Sequence, residues 1–357
     1  MKNTAEENTV LTPRQLTEAL TKILAAGRTD LPVMLWGPPG VGKSALVGQL
    51  AGAHGLSLTD LRISQLAPTD LRGVPSVRRT VTCWNPPEFL PRTGAGILFL
   101  DEITMAPPVM QGIAHQLVLD RAVGSYRLPE KWFVWAAGNR VEDRSAVYEM
   151  PKALANRFLH FEVKPCGRSF AEFAAAHPDR VDPAVVAFLH FRPDLLLDPG
   201  NGTAHAWPSP RSWEKASACL RAGLGVGPAV GRGVEIEFRA FVKMADRLPS
   251  IGAILKGGGG EVPFPEEFSE RHALVCGLVR RAEEPDALLH GFRWLTGKAA
   301  PEWNTLFLTI AAGAIGRWAL GPKMAAALAQ NPKLSGLLRQ HRGLLAKAHD
   351  PDEDVPF

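Results

Sequence analysis

The sequence predicts an α/β protein, with a parallel sheet layered between helices in its first half and a helical second half. Three observations carry this reading. Residues 31–50, LPVMLWGPPGVGKSALVGQL, pass from a short apolar run through a glycine-rich loop into apolar residues at helical spacing. Residues 96–103, GILFLDEI, are a second short apolar run, ended by two acids. From residue 168 onward the apolar residues follow a helical period in "FAEFAAA", "VVAFLHF" and "EFRAFVKMADRL". A chain of 357 residues has room for two or three domains.

Composition narrows the function classes. Hydrophobic and charged fractions of 46% and 21% are those of an ordinary soluble protein. Forty Lys and Arg against 36 Asp and Glu leave a net charge of +4, too small to make nucleic acid or a membrane surface the expected main partner. Cys83, Cys166, Cys219 and Cys276 are far apart and form no CxxC pair, which points to free thiols in a reducing cytoplasm rather than a zinc site. The polar, acidic start MKNTAEENTV has no signal-peptide pattern. The longest apolar run, Leu306 to Gly316, is too short to span a bilayer.

Taken in order, Pro32 to Trp36 reads as a buried strand ended by glycine. The next residues, Gly37-Pro38-Pro39-Gly40-Val41-Gly42-Lys43-Ser44, fit GxxxxGK[ST], and Leu46, Val47, Leu50 and Ala51 continue as a helix. Strand, loop and helix in that order are the context a phosphate-binding loop requires. Glycines let backbone N–H groups curl around phosphate oxygens, and the helix N-terminus adds partial positive charge. Gly37 through Ser44, with Ala45, are therefore the candidate nucleotide-binding residues. Lys43 would reach the β- and γ-phosphates of ATP and Ser44 would offer its hydroxyl to Mg²⁺.

Hydrolysis needs more than a cradle. Ile97 to Leu100 suits a central parallel strand, with Asp101 and Glu102 at the end where ligands bind in open α/β sheets. Asp101 is the candidate for the metal shell and Glu102 the candidate to polarise water. "KWFVWAAGNR", residues 131–140, supplies a third strand ending at Asn139, either a water-positioning amide or a simple turn. "MPKALANRFLHFEV", residues 150–163, reads as a short helix and then a strand, with Arg157 at the junction. In "WPSPRSWEKASACL", residues 207–220, Ser209 is placed to cap a helix with Pro210 at its first position. Arg211 then lies in the first turn, where a cation opposes the helix dipole, so a reason other than helix stability is implied.

Together these five pieces resemble an AAA+ ATPase, specifically the MoxR branch, over roughly residues 12 to 225. Gly37–Ser44 matches Walker A, Leu98–Glu102 Walker B, "AAGNR" sensor 1, "ALANRF" the arginine-finger segment and "SPRSW" sensor 2. The resemblance implies that Lys43, Ser44, Asp101, Glu102 and Asn139 act within one subunit. It implies that Arg211 reads the γ-phosphate from a helical lid and that Arg157 reaches in trans into the neighbouring subunit's site of a homo-oligomeric ring, a hexamer. Arg144 is a second candidate for that trans role. Residues 73–94 resemble the branch's helix-2 insert, and residues 120–132 its second hairpin. Arg78, Arg79, Trp84 and Phe89 are then candidates to touch a substrate, the alternative being an edge hairpin packed on the domain.

The expected organisation is an αβα nucleotide-binding domain over residues 1–164 and a helical lid over 165–256. A flexible break at Gly257–Gly260 then leads to a helical bundle over 261–350 and a tail over 351–357. The resemblance implies a ring that remodels a client protein, paired with a protein bearing a von Willebrand A domain. A nucleic-acid-associated motor or restriction-type nucleotidase is the other class of function left open, with Arg78-Arg79 to line its channel.

Overall fold

The computed structural model describes residues 9–143, 147–200, 204–248 and 250–346. The proposed Arg144 finger and the 351–357 tail lie outside them, as does the side chain of Arg78. The chain divides into two compact units, Met1–Pro165 and Cys166–Phe357.

The first unit contains β1 (Thr9–Leu11), α1 (Pro13–Ala25), β2 (Val33–Trp36), α2 (Lys43–Ala53), β3 (Ser57–Arg62) and α3 (Pro68–Arg72). These are followed by β4 (Val74–Arg78), β5 (Val81–Asn85), β6 (Gly96–Asp101), α4 (Pro108–Asp120), β7 (Ala122–Val123) and β8 (Tyr126–Arg127). It ends with β9 (Trp132–Gly138), α5 (Lys152–Ala155) and β10 (Leu159–Val163). Six strands form one parallel sheet in the order β1-β10-β2-β9-β6-β3. Each parallel connection must cross a face of the sheet, and helices cover both faces. One face packs against Leu16, Leu20, Val47 and Leu50, the other against Ile113, Leu117 and Leu154. The central strands β6 and β9 are buried along their whole length, which is why they read as unbroken apolar runs. The edge strands β1 and β3 are short or polar, and the sequence pattern does not reveal them.

The order of strands sets the site. Strand β9 lies between β2 and β6, with Trp36 opposite Gly138 and Leu100 opposite Ala136. All three are parallel, so the loop after β2, the acids after β6 and Asn139 after β9 emerge at one edge.

Residues 73–94 contain the antiparallel ribbon β4–β5, which turns at Arg79-Thr80. The second hairpin, expected within residues 120–132, is β7–β8 with its turn at Gly124-Ser125, and Ser125 Oγ donates to the Trp84 carbonyl at 2.5 Å. The two hairpins are thus joined at β5.

The second unit is helical in its described residues. Its first helices are α6 (Gly167–Ala176), α7 (Pro183–Phe191), α8 (Pro210–Arg221), α9 (Gly227–Val230), α10 (Arg232–Arg247) and α11 (Ser250–Leu255). They continue with α12 (Phe268–Arg280), α13 (Pro285–Lys298), α14 (Pro301–Ile310), α15 (Ala312–Arg317), α16 (Gly321–Ala329), α17 (Ser335–Gln340) and α18 (Arg342–Ala346). One buried cluster runs from Phe170 to Leu345, so the segments expected to be lid and bundle share a core. The glycine run between them is tied down rather than flexible: Trp294 Nε1 donates to the Gly259 carbonyl at 2.8 Å and Lys298 Nζ to that of Gly260 at 3.0 Å. The apolar stretch from Leu306 is interrupted at Ala311, between α14 and α15, and no helix among the described residues is long and apolar enough to cross a membrane. All four cysteines are free.

Candidate nucleotide site

The loop after β2 takes its shape from its glycines. Gly40 (φ 81°) and Gly42 (φ 101°) occupy backbone conformations that side-chain-bearing residues rarely adopt. Gly42 caps α2, and the helix axis starts at Lys43. Orphan N–H groups of the first helical turn therefore face the loop's interior, which suits an anion.

Lys43 is only 8% exposed. Its ammonium donates to the carbonyls of Gly37 (2.6 Å) and Pro38 (3.2 Å) and to Asn139 Oδ1 (3.0 Å). A buried cation needs such acceptors to offset lost hydration, and phosphate oxygens would take over part of that role. Ser44 Oγ donates to Asp101 Oδ2 at 2.7 Å. The loop after β2 is therefore hydrogen-bonded to the tip of the adjacent β9 and to that of β6 beyond it. The hydroxyl and the mostly buried Asp101 carboxylate are hard oxygen donors side by side, a set that fits a small divalent cation. Asp60, on the neighbouring β3, is held above the usual carboxylate range, chiefly by desolvation and then by repulsion from Asp101.

Glu102 has φ 55°, a left-handed conformation that is strained for a residue with a side chain. Its carboxylate accepts from Ser64 Oγ at 2.8 Å, while its N–H donates to Asp101 Oδ1 at 2.9 Å. Asn139 is set by Thr104, whose hydroxyl accepts from the Asn139 N–H (3.1 Å) and donates to the Asn139 carbonyl (3.3 Å). Gly138 permits this, since a Cβ there would fall 2.7 Å from the Thr104 side chain. Beyond Asn139, Arg140 is anchored by Asp143 (2.7 Å) and by Glu162 of β10 (2.5 Å). Ser64 and Thr104 are site residues that the sequence pattern misses. A hydroxyl in the loop after a strand is too common to stand out, and each is recognised only by the partner it holds.

These contacts join Lys43, Ser44, Asp101 and Asn139, with Glu102 next in chain to Asp101. Arg157 lies elsewhere in the same unit, exposed on the turn between α5 and β10 and flanked by the buried anchors Leu154 and Phe158. Arg211 is exposed in the first turn of α8 in the second unit, where Ser209 Oγ caps the helix by accepting from the Ser212 N–H at 3.1 Å.

Residues 32–158, which run from β2 through α5, match the AAA domain of the dynein-related subfamily. The match takes in less than half of the chain. The site brings together a phosphate loop, an acidic strand end and a polar amide, a set that suits phosphoryl transfer from a nucleotide. The chain is 28% identical over 151 residues to Midasin of Giardia intestinalis, covering 40% of this chain and 3% of that protein's length. Among solved structures it is similar to a RuvB variant of Thermotoga maritima, with TM-score 0.41 and 18% identity over 78% of this chain and 86% of that one. It is also similar to NtrX of Brucella abortus in complex with ATP, with TM-score 0.39 and 16% identity over 93% of this chain and 67% of that one.

Proposed function

We propose that the protein is a MoxR-like AAA+ ATPase that works as a ring, a hexamer, and uses ATP hydrolysis to remodel a partner protein. The observation that supports hydrolysis best is the double link from the loop after β2, Lys43 to Asn139 and Ser44 to Asp101. In this reading Lys43 and the loop amides hold the β- and γ-phosphates. Ser44 and Asp101 hold Mg²⁺, which supplies charge neutralisation on the phosphate oxygens. Asn139 orients water for attack on the γ-phosphorus. Glu102 accepts the water proton as the bond to the bridging oxygen breaks and ADP leaves. The Ser64 hydroxyl occupies one lone-pair direction of that carboxylate and leaves the others to take the proton. Arg157 completes the neighbouring subunit's site, and Arg211 reads the γ-phosphate from the helical unit.

One feature supports the ring and another a protein client. Arg157 is exposed, as a residue serving another subunit must be. The β4–β5 ribbon presents Val77 (77% exposed), Val81 (59%) and Trp84 (37%), an apolar surface suited to a polypeptide. A von Willebrand A domain protein is the partner the MoxR resemblance implies, and the cytoplasm the compartment. The test is assembly: Glu102→Gln protein with ATP is expected to run as a ring by mass photometry. A monomer at every concentration, with wild-type turnover in the parent protein, excludes the ring.

A further inference from the structure

The end of β2 and the turn bearing Arg157 are joined by a hydrogen-bonded side-chain chain. Trp36, the residue before Gly37, donates its indole N–H to His160 Nδ1 at 2.8 Å. His160 Nε2 lies 2.7 Å from the Ala155 carbonyl. An indole N–H can only donate and a carbonyl can only accept, so His160 accepts at Nδ1 and carries its proton on Nε2. The rings of Trp36 and His160 stack with centroids 6.0 Å apart and planes 17° apart, and Phe158 meets His160 edge-on at 6.3 Å. Ala155 opens the turn: its carbonyl also accepts from the Phe158 N–H at 3.1 Å, and Asn156 and Arg157 are the exposed residues inside. The strand pairing runs the same way, with Met34 opposite His160 and Trp36 opposite Glu162.

We propose that Trp36 and His160 form a relay that fixes the Arg157 turn relative to the phosphate loop, which makes His160 a positioning residue for the arginine offered to the next subunit. This rests on the reading of Arg157 as the trans arginine. Two half-buried polar rings are otherwise a costly way to fill this space, because each N–H or lone pair must be matched. The matching specifies one ring orientation, and with it one place for the Ala155 carbonyl. An arginine acting on a transition state is sensitive to displacement on the ångström scale.

The relay can be cut at either end. Trp36→Phe removes the indole donor and keeps an aromatic ring. His160→Asn keeps an acceptor near Nδ1 but does not reach Ala155. Each is expected to leave affinity for a fluorescent ATP analogue within about threefold of wild type and to lower kcat about tenfold. His160→Gln, whose amide N–H can reach the Ala155 carbonyl, is expected to recover part of the loss. The deciding measurement is a double-mutant cycle with Arg157→Ala. If Trp36 acts through Arg157, then Trp36→Phe lowers kcat no further once Arg157 is gone. A further tenfold fall in that background means Trp36 acts on its own site and overturns the relay, as does an unchanged kcat in both single variants. If Arg157→Ala itself turns over normally, the trans-arginine reading falls and the relay with it. If Arg157→Ala is impaired and both relay variants are normal, only the relay falls.

Discussion

At the scale of single residues, two side chains in contact with neighbouring parts of the site have separable jobs. Lys43 is mostly buried and already satisfied by two carbonyls and an amide oxygen. Replacing it with alanine removes the main cation facing the phosphates, so Lys43→Ala is expected to lose ATP binding in equilibrium titration. Glu102→Gln preserves shape and can still meet the Ser64 hydroxyl, but an amide cannot accept the water proton. It is expected to bind ATP as wild type does and to lose turnover by roughly a hundredfold or more, the scale of a missing general base. Equal turnover of Glu102→Gln and wild type would remove Glu102 from the chemistry. Much of this site was legible in the sequence. GPPGVGKS and the acids of FLDE carry their context with them, because a strand before and a helix after are visible as apolar patterns. Ser64 and Thr104 were not legible. Their roles arise from strand order, which brings Ser64, just after the edge strand β3, to Glu102 and Thr104 to Asn139.

At the scale of elements, the turn between α5 and β10 and the packing of α7 on α12 each carry a prediction. An arginine supplied in trans to phosphoryl transfer is typically worth about 10³–10⁵ in rate. Arg157→Ala is therefore expected to keep ATP affinity within a few-fold and to lose turnover by at least about a hundredfold. Mixing it with Lys43→Ala subunits, which still carry Arg157, should return part of the activity. Recovery would be hard to reconcile with an arginine serving its own site. Within the helical unit, His272 on α12 is fully buried among Phe268, Phe191 and Trp303. Its Nδ1–H donates to the Phe268 carbonyl at 2.9 Å, so its Nε2 accepts from His190 on α7, also at 2.9 Å. Burial, as the larger effect, pushes the His272 pKa down to about 4. The folded state thus resists a proton that the unfolded chain takes up near pH 6.5. This contribution to stability is complete above pH 6.5 and is lost as pH falls towards 4. Thermal unfolding across that window should show the loss, and His272→Phe should flatten it. Sequence periodicity does find α7 and α12, but it cannot pair their histidines, which are 82 positions apart.

At the scale of the whole molecule, the α/β half and the helical half were both visible in the pattern of apolar residues, and so was the change between them at Pro165. The fine divisions were harder to see. Strands β1 and β3 lack the apolar run that marks β6 and β9, because an edge strand is covered less completely. The glycine run at 257–260 looked like a break because glycine pattern alone does not register Trp294 and Lys298, which hold two of its carbonyls.

The chain passes from the first unit to the second at one point, between Pro165 and Cys166. The first unit has its own buried clusters and the second has another. Cooperative melting follows shared cores, so the calorimetric trace of the described protein should resolve two heat-absorption peaks instead of one. A ligand that binds only the native form raises the melting temperature of whatever it touches. Titrating ATP should then move the peak of the Met1–Pro165 unit further than that of its neighbour, and a single peak shifting as one would show that the two halves melt as a single thermodynamic body.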